Sequence, residues 1–420
     1  MPLRQTIATI LIPTLLVAAC TQQPAITVAK PVATPAIVPN VTLGVDVLLR
    51  DSVHVLRGKR VGLITNHTGR NGAGESTIDL LHAAPGIDLV ALFSPEHGIR
   101  GTAEAGEKVT SSTDQKTGLP VRSLYGETRA PTAEMLADVD VLVYDIQDVG
   151  ARVYTYVWTM ALAAEAAGKL GKSFVVLDRP DPIRADRVEG GVLDTAFRSF
   201  VGQYPTALRY GLTPGELMRW LIAAGHVKAD VTVIPMQGYR RAMWWGETGI
   251  PWINPSPNLR SADAALLYTG TVFFEGTNLS EGRGTEKPFQ LVGAKWLTDA
   301  EVIASVLNAK NLAGVRFSAT TRTIAAGQKW GGDTIPMIEV TVTDRNAVQP
   351  IAVGVHMLAE IYARHGRGGK FEWKPSLERL FGSRRLREAV EQGTTAALLP
   401  ALEAESRAFA NATRPYWLYE

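Results

Sequence analysis

The chain of 420 residues has a single cysteine, Cys20. No disulfide can therefore form within it, and a cysteine-based metal site or structural staple is excluded. Its seven histidines, at 54, 67, 82, 97, 226, 356 and 365, include no H-x-x-x-H or similarly close pair, so a zinc site would have to be assembled from distant carboxylates. Charge of one sign is also missing. With 43 basic and 41 acidic residues the net charge is +2, too even for the electrostatic footprint of a nucleic-acid binder. No G-x-G-x-x-G follows the first strand-like run, which removes support for a dinucleotide, and there is no G-x-S-x-G elbow or S-x-x-K of the common acyl enzymes. Gly69 to Ser76, GRNGAGES, mimics a phosphate loop, but Glu75 stands where the essential lysine belongs and would repel phosphate. No cofactor is expected.

The N-terminus reads as an export signal. Arg4 precedes a largely apolar stretch from 6 to 19, and Val17-Ala18-Ala19-Cys20 has the small residues of a cleavage site ending on cysteine. The stretch is too short for a membrane span and resembles a bacterial lipobox, with Cys20 the lipidated residue. Residues 21–42 are rich in Pro, Ala, Thr and Val and read as an extended tether. Leader 1–20 and tether are expected to leave a folded part of two domains, 43–261 and 262–420, and 46% hydrophobic residues suffice for a large core.

Apolar runs at 60–65, 88–93, 139–144 and 173–177 alternate with helical patterns at 76–82 and 154–167, which predicts an α/β fold with a doubly wound parallel sheet. Thr213-Pro214-Gly215-Glu216 is a capping box with proline at the first helical position. Beyond about 261 the pattern changes to helices at 350–365 and 394–409 with strands at 315–324 and 337–343, a smaller α+β domain.

In open α/β sheets ligands sit beyond the carboxyl ends of the strands, and there the chain is polar: SPEHGIRG after Phe93, DIQDVGAR after Tyr144, DRPDP after Leu177. The candidates are Glu96, His97 and Arg100 from the first cluster and Asp145, Gln147, Asp148, Arg152 and Tyr154 from the second. A third group lies in FEGTNLSEGRGTEKPF at 274–289, where Glu275, Asn278, Glu281 and Arg283 stand among glycines in a loop without strand or helix periodicity. Each such Asp or Arg can equally be a helix cap or ion pair; three clusters at one sheet edge favour a site shared with the loop. Glu96, just past an apolar strand, is placed where partial desolvation favours a proton donor, whereas an ion pair with Arg100 would favour the carboxylate. Carboxylates, amides and arginines with Tyr154, Tyr156, Trp244, Trp245 and Trp252 nearby suit a sugar, which offers hydroxyls to bond and apolar faces to stack.

The segments VGLITNHTG at 61–69, LFSPEHGIRG at 92–101, TGLPVRSLYG at 117–126, VYDIQDVGARVYTY at 143–156, PSPNL at 255–259 and FEGTNLSEGRGTEKPF closely resemble the exo-acting β-N-acetylmuramidases, a glycoside hydrolase family long catalogued as a domain of unknown function. The resemblance implies a Rossmann-like domain and a smaller C-terminal domain with the site in the cleft between them. It also implies removal of terminal N-acetylmuramic acid from peptidoglycan fragments and Glu96 as acid/base. Asn258 joins the candidate binding residues through PSPNL. For the second half of the reaction the expectation is assistance by the substrate's own acetamido group, with Asp148 orienting it. Arg283, Arg152 or Arg100 would hold the lactyl carboxylate. The alternatives are a non-catalytic peptidoglycan-binding lipoprotein, or a hydrolase of an N-acetylglucosaminide or the stem-peptide amide. The expected partners are peptidoglycan-derived saccharides and, through the lipid on Cys20, a membrane, with no nucleic acid and no obligate protein partner. The lipobox implies a periplasm-facing enzyme, and Thr21-Gln22 without an acidic residue resembles lipoproteins sorted to an outer membrane.

Overall fold

In a computed structural model the described residues are 1–2, 40–100 and 106–420; Cys20, the leader and most of the tether lie outside them. Nine strands precede residue 240: β1 (Arg60–Thr65), β2 (Asp88–Ser94), β3 (Ser112–Thr113), β4 (Pro120–Ser123), β5 (Val141–Asp145), β6 (Ser173–Leu177), β7 (Glu189–Val192), β8 (Ala207–Arg209) and β9 (Val231–Ile234). Seven of them form one sheet in the order β3-β4-β2-β1-β5-β6-β9, parallel except for β3. Taken in chain order, the parallel strands run 3-2-1-4-5-6, the Rossmann arrangement, whose direction of winding reverses between β1 and β5.

Why these runs become central strands is visible in their side chains. Alternate residues point to opposite faces, and both faces are covered. Leu63, Leu92, Val143 and Val175 face a core completed by Val41, Leu43, Ile78 and Leu81. Ile64, Phe93, Tyr144 and Phe174 face another, with Trp158 and Met160 of the helix Tyr156–Lys169. The strand expected from 139 joins the ladder only at Val141 because Asp140 is held by Arg60, through its backbone N–H at 2.9 Å and its guanidinium at 2.7 Å.

β10 (Leu291–Gly293), β11 (Val315–Thr323) and β12 (Thr334–Val342) form an antiparallel sheet ordered β10-β12-β11. This is the α+β part, and it shares a core with the first sheet: Phe93 and Trp158 belong to the same apolar cluster as Tyr268, Phe289 and Phe381. The described residues from Asn40 on form one compact unit. The predicted capping box is present, Thr213 accepting from the Glu216 N–H at 3.2 Å and Glu216 from the Thr213 N–H at 3.0 Å.

The helices Ala262–Thr271 and Pro350–His365 cross at Gly270 and Gly354. A Cβ on Gly270 would lie 1.8 Å from the Pro350 carbonyl oxygen, and one on Gly354 would lie 2.2 Å from that of Gly270. Backbone cannot yield as a side chain does. Gly270→Ala and Gly354→Ala are each expected to lower stability by more than about 3 kcal/mol, against less than about 0.5 kcal/mol for Gly246→Ala, where the space is open. Denaturant midpoints check this; equal effects at the three positions would refute the close crossing.

Candidate active site

β2 ends at Ser94, and Pro95 has no N–H with which to continue a ladder. The chain then reverses through His97 and Gly98, at φ +68° and +75°, with the Gly98 N–H donating to Pro95 O at 3.1 Å. Histidine in the left-handed region costs on the order of 1–2 kcal/mol. The strained turn aims Glu96 and His97 into a cavity of about 420 Å³.

Glu96 is 9% exposed and held from several sides. Thr155 Oγ1 donates to its Oε2 at 2.5 Å and the Gly106 N–H to its Oε1 at 2.9 Å, and the Tyr125 hydroxyl is close enough to feel its charge. Burial, reinforced by the neighbouring Glu96, pushes the Tyr125 phenol up to about 12, so it stays a donor at neutral pH. Arg100 does not compete for Glu96: it pairs with Asp114 at 2.5 Å in a separate groove with Lys116 and Asp79.

Aromatic rings wall the cavity. Tyr154 and Tyr268 stand edge to face at 6.1 Å, and Tyr268 meets Phe289 at 4.7 Å. Across from Glu96 in sequence, the 274–289 loop supplies Glu275 and Arg283 to the same lining. Gly282 and Gly284, at φ +84° and +81°, let the loop coil tightly around Arg283. Its Nη2 donates to Glu275 at 2.7 Å and its Nε lies 3.1 Å from Glu281, which also takes Lys329 at 2.9 Å. Burial pulls the Arg283 guanidinium down, but these two carboxylates outweigh it and hold it above its ordinary value. Burial raises Glu275 while Arg283 opposes the shift.

The polar groups after β5 and β6 lie elsewhere. Asp145 is fully buried and receives two bonds from Arg179, at 2.5 and 2.9 Å, and one from Thr77. Gln147 spends its amide on the carbonyls of Asp148 and Pro180, at 2.8 and 2.7 Å. Asp148, expected to orient the substrate, instead accepts from Tyr210 and from the Gly150 N–H at 2.8 Å, and it does not line the cavity. Arg152 is likewise sealed, its guanidinium donating to the carbonyls of Thr206, Leu380 and Phe381; burial pulls it down to about 9. The switch-point crevice above these residues is roofed by the chain near Pro255, which accepts from the Tyr156 hydroxyl at 2.7 Å, with Asn254 O 2.7 Å from the His67 ring.

Asn278 is pinned to Lys370 O and the Glu372 N–H, while Asn258 is buried outside the lining formed by its neighbours Ser256 and Leu259. Trp245 and Trp252 pack on one another at 5.5 Å, and with Trp244 lie outside the cavity. Of the predicted residues, Glu96, His97, Tyr154, Glu275 and Arg283 therefore converge. Thr155, Tyr125, Arg129, Phe200, Ser376 and Arg379 are among the lining residues that were not singled out. Tyr125 and Thr155 were within reach, since each lies in or beside a quoted motif. The others come from segments with no motif. Among the described residues, no group of histidines and carboxylates is arranged to hold a metal ion.

A Rossmann-type sheet whose second strand delivers a buried carboxylate to a ring-walled cavity defines an α/β protein with a saccharide-type pocket. Family models for exo-β-N-acetylmuramidase NamZ match the chain, the N-terminal model over residues 61–263 and the C-terminal one over 266–419. The chain belongs to this family. It is 41% identical over 382 residues to the peptidoglycan β-N-acetylmuramidase NamZ of Bacillus subtilis (strain 168), covering 91% of this chain and 92% of that one. Two crystal structures of DUF1343 family proteins from Bacteroides fragilis NCTC 9343 superpose with TM-scores of 0.84 and 0.71, at 35% and 28% identity. They cover 91% and 90% of this chain and 99% of each of theirs.

Burial pushes the Asp148 carboxyl up to about 7, against the opposing bonds from Tyr210 and Gly150. A raised folded-state value means that its contribution to stability is fully present below the unfolded value near 3.8 and is lost as pH rises through about 7. Asparagine keeps an acceptor for Tyr210 and Gly150 but cannot ionise. The stability of Asp148→Asn relative to the parent chain should therefore improve from pH 5 to about pH 7 and level off above it in denaturant titrations. A difference constant with pH would contradict the buried, titrating carboxyl.

Proposed function

We propose that this protein is an exo-acting β-N-acetylmuramidase that releases N-acetylmuramic acid from the non-reducing end of peptidoglycan fragments, with Glu96 as the acid/base. The observation that carries this reading is Glu96 itself, turned by a strained loop into a cavity whose rings and polar groups suit one sugar. The proton reaches the glycosidic oxygen from Glu96 as the bond to the sugar breaks, and Thr155 and the Gly106 N–H steady the carboxylate that remains. Tyr154, Tyr268 and Phe289 offer the apolar face for the ring.

Among the described residues the other carboxylate of the lining is Glu275, so we assign to it the orienting role first expected of Asp148. Held by Arg283, it is positioned to steer the substrate's acetamido group, and whether that group or water attacks the anomeric carbon depends on the same contact.

Residues 1–20 fit a lipoprotein leader, and we read Cys20 as the site of an anchor that holds the enzyme facing the periplasm, from the outer membrane. Radiolabelled palmitate should enter the full chain and not Cys20→Ala; equal labelling of both would refute the anchor.

Glu96→Gln should fold normally and bind N-acetylmuramic acid, while kcat on an N-acetylmuramoside with a poor leaving group falls about 10²–10⁴-fold. Turnover near the parent level would remove Glu96 from the acid role.

A further inference from the structure

Arg283, the guanidinium expected to meet the lactyl carboxylate of the sugar, is already matched. Glu275 and Glu281 both pair with it, and Lys329 balances the second acid, so the cluster of two cations and two anions is neutral. A third carboxylate placed there would face two others. Two further arginines line the same cavity, Arg129 and Arg379, and neither has a carboxylate partner among the described residues.

Arg129 is set in an unusual frame. Its guanidinium carbon lies 3.9 Å from the centroid of the Tyr125 ring and 4.2 Å from that of Phe200. The two rings are 5.8 Å apart and tilted by 49°, so they cradle the exposed guanidinium from adjoining sides and leave its N–H fork to offer to a carboxylate. Phe200 reaches it from the connection between β7 and β8, and Arg379 comes from the helix Ser376–Phe381, across the lining. Tyr125 therefore neighbours both groups, lying within the electrostatic reach of Glu96 and under the Arg129 guanidinium.

We propose that Arg129 and Arg379 form the carboxylate-reading arm of this cavity and that they, rather than Arg283, distinguish an N-acetylmuramoside from an N-acetylglucosaminide. The inference rests on the muramidase reading above. Arg283 then serves Glu275, and Tyr125 links the carboxylate-bound arginine to the acid that cleaves the bond.

The test compares N-acetylmuramic acid with its lactyl carboxamide, as free ligands by calorimetry and as chromogenic glycosides by kcat/KM. The protein is the full chain and its Arg129→Met, Arg379→Met and Arg283→Met variants, with Arg129→Lys and Arg379→Lys retaining charge without the fork. Methionine at 129 or 379 should cut the preference for carboxylate over carboxamide by about 10- to 100-fold, mainly through KM, and lysine should restore only part of it. Methionine at 283 should lower kcat on both substrates and leave their ratio in place. If both methionine variants at 129 and 379 keep the parent ratio while Arg283→Met loses it, the arm is wrong and the muramidase reading stands. If the parent chain binds N-acetylmuramic acid no better than N-acetylglucosamine, both are wrong.

Discussion

The hydrogen bond from Thr155 to Glu96 is the contact on which the site depends. It joins the turn after β2 to the residue that opens the helix following β5, two segments far apart in the chain that the parallel sheet brings to one edge. Left-handed backbone at His97 is unfavourable on its own; the hydrogen bonds that the neighbouring Glu96 carboxyl accepts from Thr155 and the Gly106 N–H supply the compensation. The same contact fixes where the acid stands relative to Tyr154, the residue before Thr155, and so relative to the aromatic wall.

Around this point the sheet edge is held by ionised and polar groups that water does not reach. Asp145 with Arg179 and Glu216 with Arg241 are buried pairs, and Asp178 gathers bonds from Gly215, Thr213 and Tyr419. Tyr419 belongs to a C-terminal segment that folds back on the first sheet, where Arg241 also lies 3.8 Å from the Trp417 ring. Such pairs add little net stability compared with apolar groups of the same shape, but breaking one leaves an uncompensated charge. Their effect is to lock the strand ends in register.

That distinction explains what the sequence revealed and what it concealed. β1 and β6 were legible to the residue because each is an uninterrupted apolar run buried on both faces. The capping box at Thr213 was legible because it is local. Asp145, Asp148 and Arg152 were placed at the site because a polar residue after a buried strand looks the same whether it meets solvent or a partner. Their partners, Arg179, Tyr210 and the carbonyls of Leu380 and Phe381, are distant in sequence. Phe200 and Arg379 reach the cavity from a hairpin connection and a short helix that carry no motif. Only the packing of the two sheets on a shared core brings them there.

The central claim concerns which sugar is removed and from which end. The most direct measurement offers the enzyme two disaccharides of the same sugars, one with N-acetylmuramic acid at the non-reducing end and one with N-acetylglucosamine there. Free sugars are then followed by mass spectrometry. The first should yield N-acetylmuramic acid and N-acetylglucosamine in equal amounts and the second should remain intact. Cleavage of the second, or of neither, would contradict an exo-acting muramidase built on Glu96.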